Sequence, residues 1–151
     1  GERAMPTNLL RTTPDKRERA KPPSTAKRVA VLKVGKAQVR IDLVPSRTAD
    51  VIWRALPIYA IAETWGESIH FEVPVRAGRE RGARLNAGLR DILFWADDDR
   101  VVFVWGPTPI SRDHERRLMR PCNVWAEALD PLTVFAGTVP GAKVSLVAET
   151  R

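Results

Sequence analysis

From residue 29 onward the chain is written in short apolar bursts separated by turn residues. Val29, Val31 and Leu32 mark a strand over 28–34. A Gly35-Lys36 turn leads into a second strand over 37–43, where Val39, Ile41 and Leu43 alternate with Gln38, Arg40 and Asp42. Alternation with a period of two on both sides of a two-residue glycine turn predicts a β-hairpin. Ala49, Ile52, Trp53 and Leu56 then recur at helical spacing, with Ser46 or Thr48 in place to cap the first turn and Pro57 to stop the helix.

Past Pro57 the period returns to two. Strands are expected at 59–61 and at 68–75, where His70 and Glu72 should face away from Ile69, Phe71 and Val73. Two further strands, 92–95 and 101–105, flank the polar stretch Ala96-Asp97-Asp98-Asp99-Arg100, which reads as a hairpin loop. A strand at 122–126, a short helix over 130–136 (Asp130 as N-cap, Pro131 at the first helical position) and a last strand at 143–148 complete the pattern. About eight short strands, two short helices and closely spaced turns predict a mainly β protein, a closed or nearly closed antiparallel barrel.

Composition changes this picture in one respect. The chain has 151 residues and a formal net charge of +7, which by itself would suggest a nucleic-acid partner. Residues 1–28, however, hold eight basic groups against three acidic ones, so the rest of the chain carries only +2. That first segment is rich in Pro, Thr, Lys and Arg, with Leu9-Leu10 its sole apolar pair. It is expected to be a disordered basic tail over 1–27, able to associate nonspecifically with polyanions, ahead of a single domain over 28–151. No apolar run is long enough for a membrane span or a secretory signal, and a cytoplasmic location is expected.

A second basic run, Arg76, Arg79, Arg81, Arg84 and Arg90, is interleaved with Gly78, Gly82 and Gly88. Glycine at this density marks a loop between strands, which would be either solvated or an anion-binding flap. It matches no phosphate-binding glycine fingerprint.

Candidate chemistry is sparse. His70 and His114 have no partners at metal-ligand spacing, so neither a metal nor another cofactor is expected. The lone Cys122 reads as an inert core residue. The aspartates at 97–99 lack the glycine and terminal glutamate of a helix-loop-helix calcium loop and read as a solvated turn. Glu67 and Glu72 are carboxylates near strand ends, and His70 reads as a rim residue. Trp65, Trp95, Trp105 and Trp125 fall at strand ends or beside turns, where a ring can line a concave surface, although core packing accounts for some of them.

Four stretches in order, Thr64-Trp65-Gly66-Glu67-Ser68-Ile69-His70-Phe71, Phe94-Trp95, Trp105-Gly106-Pro107-Thr108-Pro109-Ile110-Ser111 and Asn123-Val124, resemble the small prokaryotic cyclophilin-like domain family. The resemblance runs over roughly 28–149 and implies a closed β-barrel capped by two helices. It also raises prolyl isomerisation. Cyclophilins carry Phe-His-Arg-Val on a strand, whereas the best matching stretch here is His70-Phe71-Glu72-Val73, with an anion in the arginine's place. The glutamine-bearing segment is replaced by the arginine/glycine loop, and the Phe-Gly-Lys ahead of the last helix reads Trp125-Ala126-Glu127. A carboxylate cannot act as a guanidinium donor, so the usual isomerase route is not expected.

The resulting expectation is a noncatalytic binding module for a small polar ligand or an extended peptide. Its groove is expected near Trp65, Glu67, His70, Glu72, Trp95, Thr108, Ser111 and Asn123. The alternatives are a divergent prolyl isomerase and polyanion association through the tail.

Overall fold

The structure, a computed structural model, describes residues 22–150. Ten strands form a single antiparallel system. The opening hairpin is β1 (Val29–Val34) and β2 (Ala37–Leu43), closed by Val34 opposite Ala37 with Gly35 at a φ of 60°. Ala30, Leu32 and Val34 face the core from β1, and Val39, Ile41 and Leu43 do so from β2. Helix α1 (Arg47–Ala55) follows. Ser46 is its N-cap, its Oγ accepting from the Ala49 N–H at 3.0 Å. The helix buries Thr48, Ala49, Val51 and Ile52, and half-buried Trp53 packs on the core with the Arg28 guanidinium 6.0 Å from its ring centroid.

The remaining strands are β3 (Ile58–Ile61), β4 (Glu63–Thr64), β5 (Ser68–Glu72), β6 (Arg84–Asn86), β7 (Asp91–Trp95), β8 (Arg100–Val104), β9 (Arg117–Ala128) and β10 (Lys143–Ala148). Their order in the sheet is β3-β10-β1-β2-β9-β7-β8-β5-β4, with β6 paired to β9. The two ends of this order, β3 and β4, are consecutive in the chain and separated only by Ala62. One stretch of backbone therefore pairs with β10 through its first half and with β5 through its second, and so nearly closes the sheet on itself. Ala62 helps hold the join: its N–H donates to the Ala142 carbonyl and its own carbonyl accepts from Gly141, both at 2.8 Å.

Inward-facing residues from all around the sheet, including Leu32, Ile41, Phe71, Phe94, Phe103, Trp125 and Leu146, fill the barrel together with α1 and Phe135. A second, smaller apolar cluster lies on the outer face of β7 and β8. Leu93, Val102 and Val104 meet Leu118 and Cys122 of β9 and Ala87 there. Strand β9 makes both clusters possible, because its first half pairs with β6 outside the barrel and its second half with β7 and β2 in the wall.

The expected helix over 130–136 is replaced by a 3-10 turn, Leu132–Phe135, so the barrel carries one α-helix and not two. Asp130 does not cap it. The Asp130 carboxylate instead accepts from the Arg40 backbone N–H at 2.9 Å, which ties the turn to β2, while Leu132 and Phe135 are buried. Two apolar anchors spaced three apart suit the 3-10 repeat and leave no further turn to extend. The strand expected at 68–75 stops at Glu72. The strand expected at 122–126 is twelve residues long, and β4 and β6 are additional short strands. The expected disordered tail lies largely outside the described residues. Its last part, 22–27, has no regular structure and runs beside α1, where the Ser24 N–H reaches Asp50 at 3.4 Å.

Candidate functional site

Period-two alternation places Ser68, His70 and Glu72 on the outer face of β5, and Arg100, Val102 and Val104 on that of β8. Inter-strand register then sets them in rows. Glu63, His70, Val102 and Leu93 stand side by side across β4, β5, β8 and β7. Glu72, Arg100 and Trp95 form the next row. The first half of β9 lies over these rows and leaves a groove of about 270 Å³ between itself and the sheet. Val102, Leu118 and Cys122 contribute buried apolar surface to it. Trp65 and Trp95 supply aromatic walls, and exposed Met119 and Arg120 form the lip on the β9 side.

Charge is concentrated at one end. Arg100, only 19% exposed, donates from Nε to Asp98 at 2.8 Å and from Nη1 to Glu63 at 2.7 Å. Burial opposes its charge, but the two carboxylates together outweigh that cost and raise its pKa. The same Nη1 lies 3.3 Å from His70 Nδ1. Burial first, and the Arg100 charge second, lower the His70 pKa, with Glu63 and Asp98 pulling the other way. His70 also meets Trp95 edge-on, with ring centroids 6.5 Å apart and planes at 75°. The Trp95 indole N–H is buried without an acceptor among the described residues. Burial pushes the Cys122 thiol up to about 12, with Asp97 adding to the shift, so the thiol is a poor nucleophile.

Of the expected site residues, Trp65, His70 and Trp95 line this groove. Glu67, Glu72, Thr108, Ser111 and Asn123 do not. Glu72 stands opposite Arg100, outside the groove lining. Thr108 is buried, its Oγ1 donating to the Arg117 carbonyl at 2.6 Å, and Ser111 Oγ accepts from the backbone N–H groups of Thr108 and Arg117. These two hydroxyls hold a turn. Glu67 packs against Gly106, where an added Cβ would fall 2.7 Å from its carboxyl carbon.

Buried Asn123 is an anchor for the arginine/glycine loop. Its Oδ1 accepts from the Glu80 N–H at 2.8 Å, and its Nδ2 donates to the Gly78 carbonyl at 2.9 Å and to Thr48 Oγ1 at 3.0 Å. The Glu80 carboxylate in turn accepts from the backbone N–H and hydroxyl of Thr48 at the start of α1. Arg76, Arg79 and Arg84 of the same loop face Asp99, Asp97 and Asp91. The three consecutive aspartates at 97–99 therefore each meet an arginine, and no cluster of potential metal ligands occurs among the described residues.

Trp125 is wholly buried, its Nε1 donating to the Leu93 carbonyl at 3.1 Å, and Trp105 packs against the barrel core. The groove residues that sequence reasoning missed are Glu63, Ser68, Asp98, Arg100, Val102, Cys122 and the β9 segment Leu118–Arg120. Alternation along β8 puts Arg100 and Val102 on one face and so carried a signal for them. No local pattern announced that β9 would fold over that face.

A nearly closed, mainly β barrel with an external groove defines the class of fold. The cyclophilin-like family model matches residues 27–147, and the chain belongs to that family. A hypothetical protein from Archaeoglobus fulgidus, whose solution structure is known, has a similar fold. The TM-score is 0.70 and the identity 23%, over 85% of this chain and 97% of that one. Comparison with curated proteins gives no match. No helix among the described residues is long and apolar enough to cross a membrane.

Proposed function

We propose that this domain is a noncatalytic binding module that holds a small polar ligand or an extended peptide segment in the groove between β9 and the outer face of β5, β8 and β7. The observation that carries this reading is the groove itself, about 270 Å³, walled by Trp65 and Trp95 over the apolar floor of Val102, Leu118 and Cys122, with His70 and Arg100 at one end. Apolar walls with a few placed polar groups are the usual composition of such sites. The test is a titration of peptide and fragment mixtures followed through the indole N–H signals in ¹H–¹⁵N spectra. Binding should move the Trp65 and Trp95 signals and leave Trp125 in place. Ligands that move other surfaces and spare these two would overturn it.

A second reading, a divergent prolyl isomerase, draws support from Arg100. Its guanidinium reaches the outer face from the strand beside His70-Phe71-Glu72-Val73, although Glu63 and Asp98 already engage its Nε and Nη1. Catalysed isomerisation of a proline peptide, lost in Trp95→Ala or Arg100→Leu, would favour this reading over binding alone.

A further inference from the structure

The arginine/glycine loop and the start of β9 are distant in sequence but form one surface. Asn86 of β6 stands opposite Arg117, and the Ala87 N–H donates to the Arg116 carbonyl at 2.9 Å. Arg116 Nε donates back to the Ala87 carbonyl at 3.0 Å. Together residues 76–87 and 112–120 hold eight arginines, no lysine and three carboxylates (Glu80, Asp113 and Glu115), a net charge of +5. The other described residues hold ten basic and twelve acidic groups, a net charge of −2. The nearly neutral total of the folded chain therefore hides a strong asymmetry.

Part of this charge is answered by neighbours. Asp99 pairs with Arg76, Asp91 with Arg84, and Asp97 with both Arg79 and Arg120. These three aspartates still leave the surface positive. Arg81, Arg112, Arg116 and Arg117 make no ion pair among the described residues, and Arg81 and Arg112 are exposed. The frame beneath them is fixed. Asn123 holds the loop at Gly78 and Glu80, and Arg112 and Glu115 close a turn through the Arg112 N–H to the Glu115 carboxylate and the Glu115 N–H to the Arg112 carbonyl, both at 3.0 Å.

Guanidinium forks along an extended ribbon suit a chain of phosphates, each able to take two parallel N–H bonds. Strand β9 adds a second feature. Met119 and Arg120 belong to this surface and also form the lip of the groove walled by Trp65 and Trp95. A cationic track for the backbone beside aromatic rings for the bases is the composition of single-strand sites. A duplex keeps its bases stacked and paired, and an acidic peptide has no base to stack. We infer that the β6–β9 surface docks the phosphate backbone of a single-stranded nucleic acid, with an unpaired base passing the β9 lip into the groove. The choice of a single strand rests on the proposal that the groove binds a ligand. The phosphate docking rests on the arginines alone.

The test is fluorescence anisotropy on the full chain with a labelled oligothymidylate of roughly fifteen nucleotides. Arg81→Glu, Arg112→Glu and Arg120→Glu, combined in one chain, should weaken binding at least about tenfold and lower the slope of log affinity against log salt by about 2. The control combines Lys33→Glu, Lys36→Glu and Lys143→Glu, the same change in net charge placed on β1, its turn and β10. It should cost less than about threefold, because charges more than about 8 Å from the strand are screened at about 0.15 M salt. The basic segment 1–21 is present in every chain and cancels in the comparison. The same three arginines changed to Gln should give a smaller loss in the same direction, which covers the case of a poorly folded reversal. Equal losses in the arginine and lysine sets, or no loss in either, overturn the docking surface. Poly-glutamate bound as tightly as the oligonucleotide overturns the nucleic-acid assignment. A duplex bound as tightly, or binding that leaves the Trp65 and Trp95 indole signals in place, overturns the single-strand step while the arginine result stands, so failure of the groove reading is distinguished from failure of the phosphate surface.

Discussion

Gly66 and Pro109 are pressed together across the turn that joins β4 to β5: a Cβ on Gly66 would lie 2.8 Å from Pro109 Cδ, and 2.9 Å from the Pro107 carbonyl oxygen and Thr108 Cα. Gly66 also has a φ of 62°, in the left-handed region. The Trp65-Gly66-Glu67 and Gly106-Pro107-Thr108-Pro109 stretches are thus two halves of one clamp. It is joined by the Glu67 N–H to the Pro107 carbonyl and by the Trp105 N–H to the Glu67 carbonyl, both at 3.0 Å. The clamp sets where Trp65 stands at the groove mouth.

Gly66→Ala should therefore destabilise the fold by about 2–4 kcal/mol, combining left-handed backbone strain with overpacking against main-chain atoms. Urea unfolding measures it. A loss below about 1 kcal/mol would mean that the turn relaxes freely.

Asn123→Ala should cost about 2–3 kcal/mol, because it leaves the Glu80 N–H and the Gly78 carbonyl without their partner. Amide exchange should quicken over 76–82 well before global unfolding. Unchanged protection there would show that the arginine–aspartate pairs alone hold the loop.

His70 makes stability depend on pH. Its folded pKa lies below the usual 6.5, so the unfolded chain binds the proton more readily. The stability linked to this residue is complete above pH 6.5 and is lost as the pH falls through the lower folded value. His70→Gln should remove that part of the dependence. Identical curves for parent and variant between pH 7 and 5 would contradict it.

Cys122, buried and with its pKa pushed up to about 12 from the usual 9.0, should resist alkylation at pH 8. Its thiolate population there is on the order of a thousandfold below that of a free thiol, and access is restricted as well. Iodoacetamide labelling followed by mass spectrometry should show modification only after denaturation.

Polyanion association through the basic N-terminal segment predicts that removing residues 1–21 weakens binding to single-stranded oligonucleotide and flattens its salt dependence. Equal affinity and slope in the truncated chain would place any such binding elsewhere.

The local code was sufficient for much of the barrel. Alternation along β2 and β5, the Gly35-Lys36 turn, a cap at Ser46 or Thr48 and the stop at Pro57 are decided by neighbours in sequence, and so were legible there, whereas the continuous apolar run of β1 left open that Ala30, Leu32 and Val34 would face inward. Asp130-Pro131 misled because a helix start signal says nothing about how many apolar anchors follow, and here Leu132 and Phe135 suit only a 3-10 turn. Thr108, Ser111 and Asn123 are polar residues in suggestive motifs, but they satisfy buried backbone groups, a role visible only once the partners are in place.

The sequence by itself determined which face of each strand a residue occupies, because that follows from a period of two. Only the tertiary structure decided which outward-facing residues become neighbours. That depends on register between strands far apart in the chain, on Ala62 passing one segment from one sheet edge to the other, and on the first half of β9 folding over the wall. Glu63, His70, Asp98, Arg100 and Trp95 come from three separate stretches, and their meeting is a property of those long-range pairings.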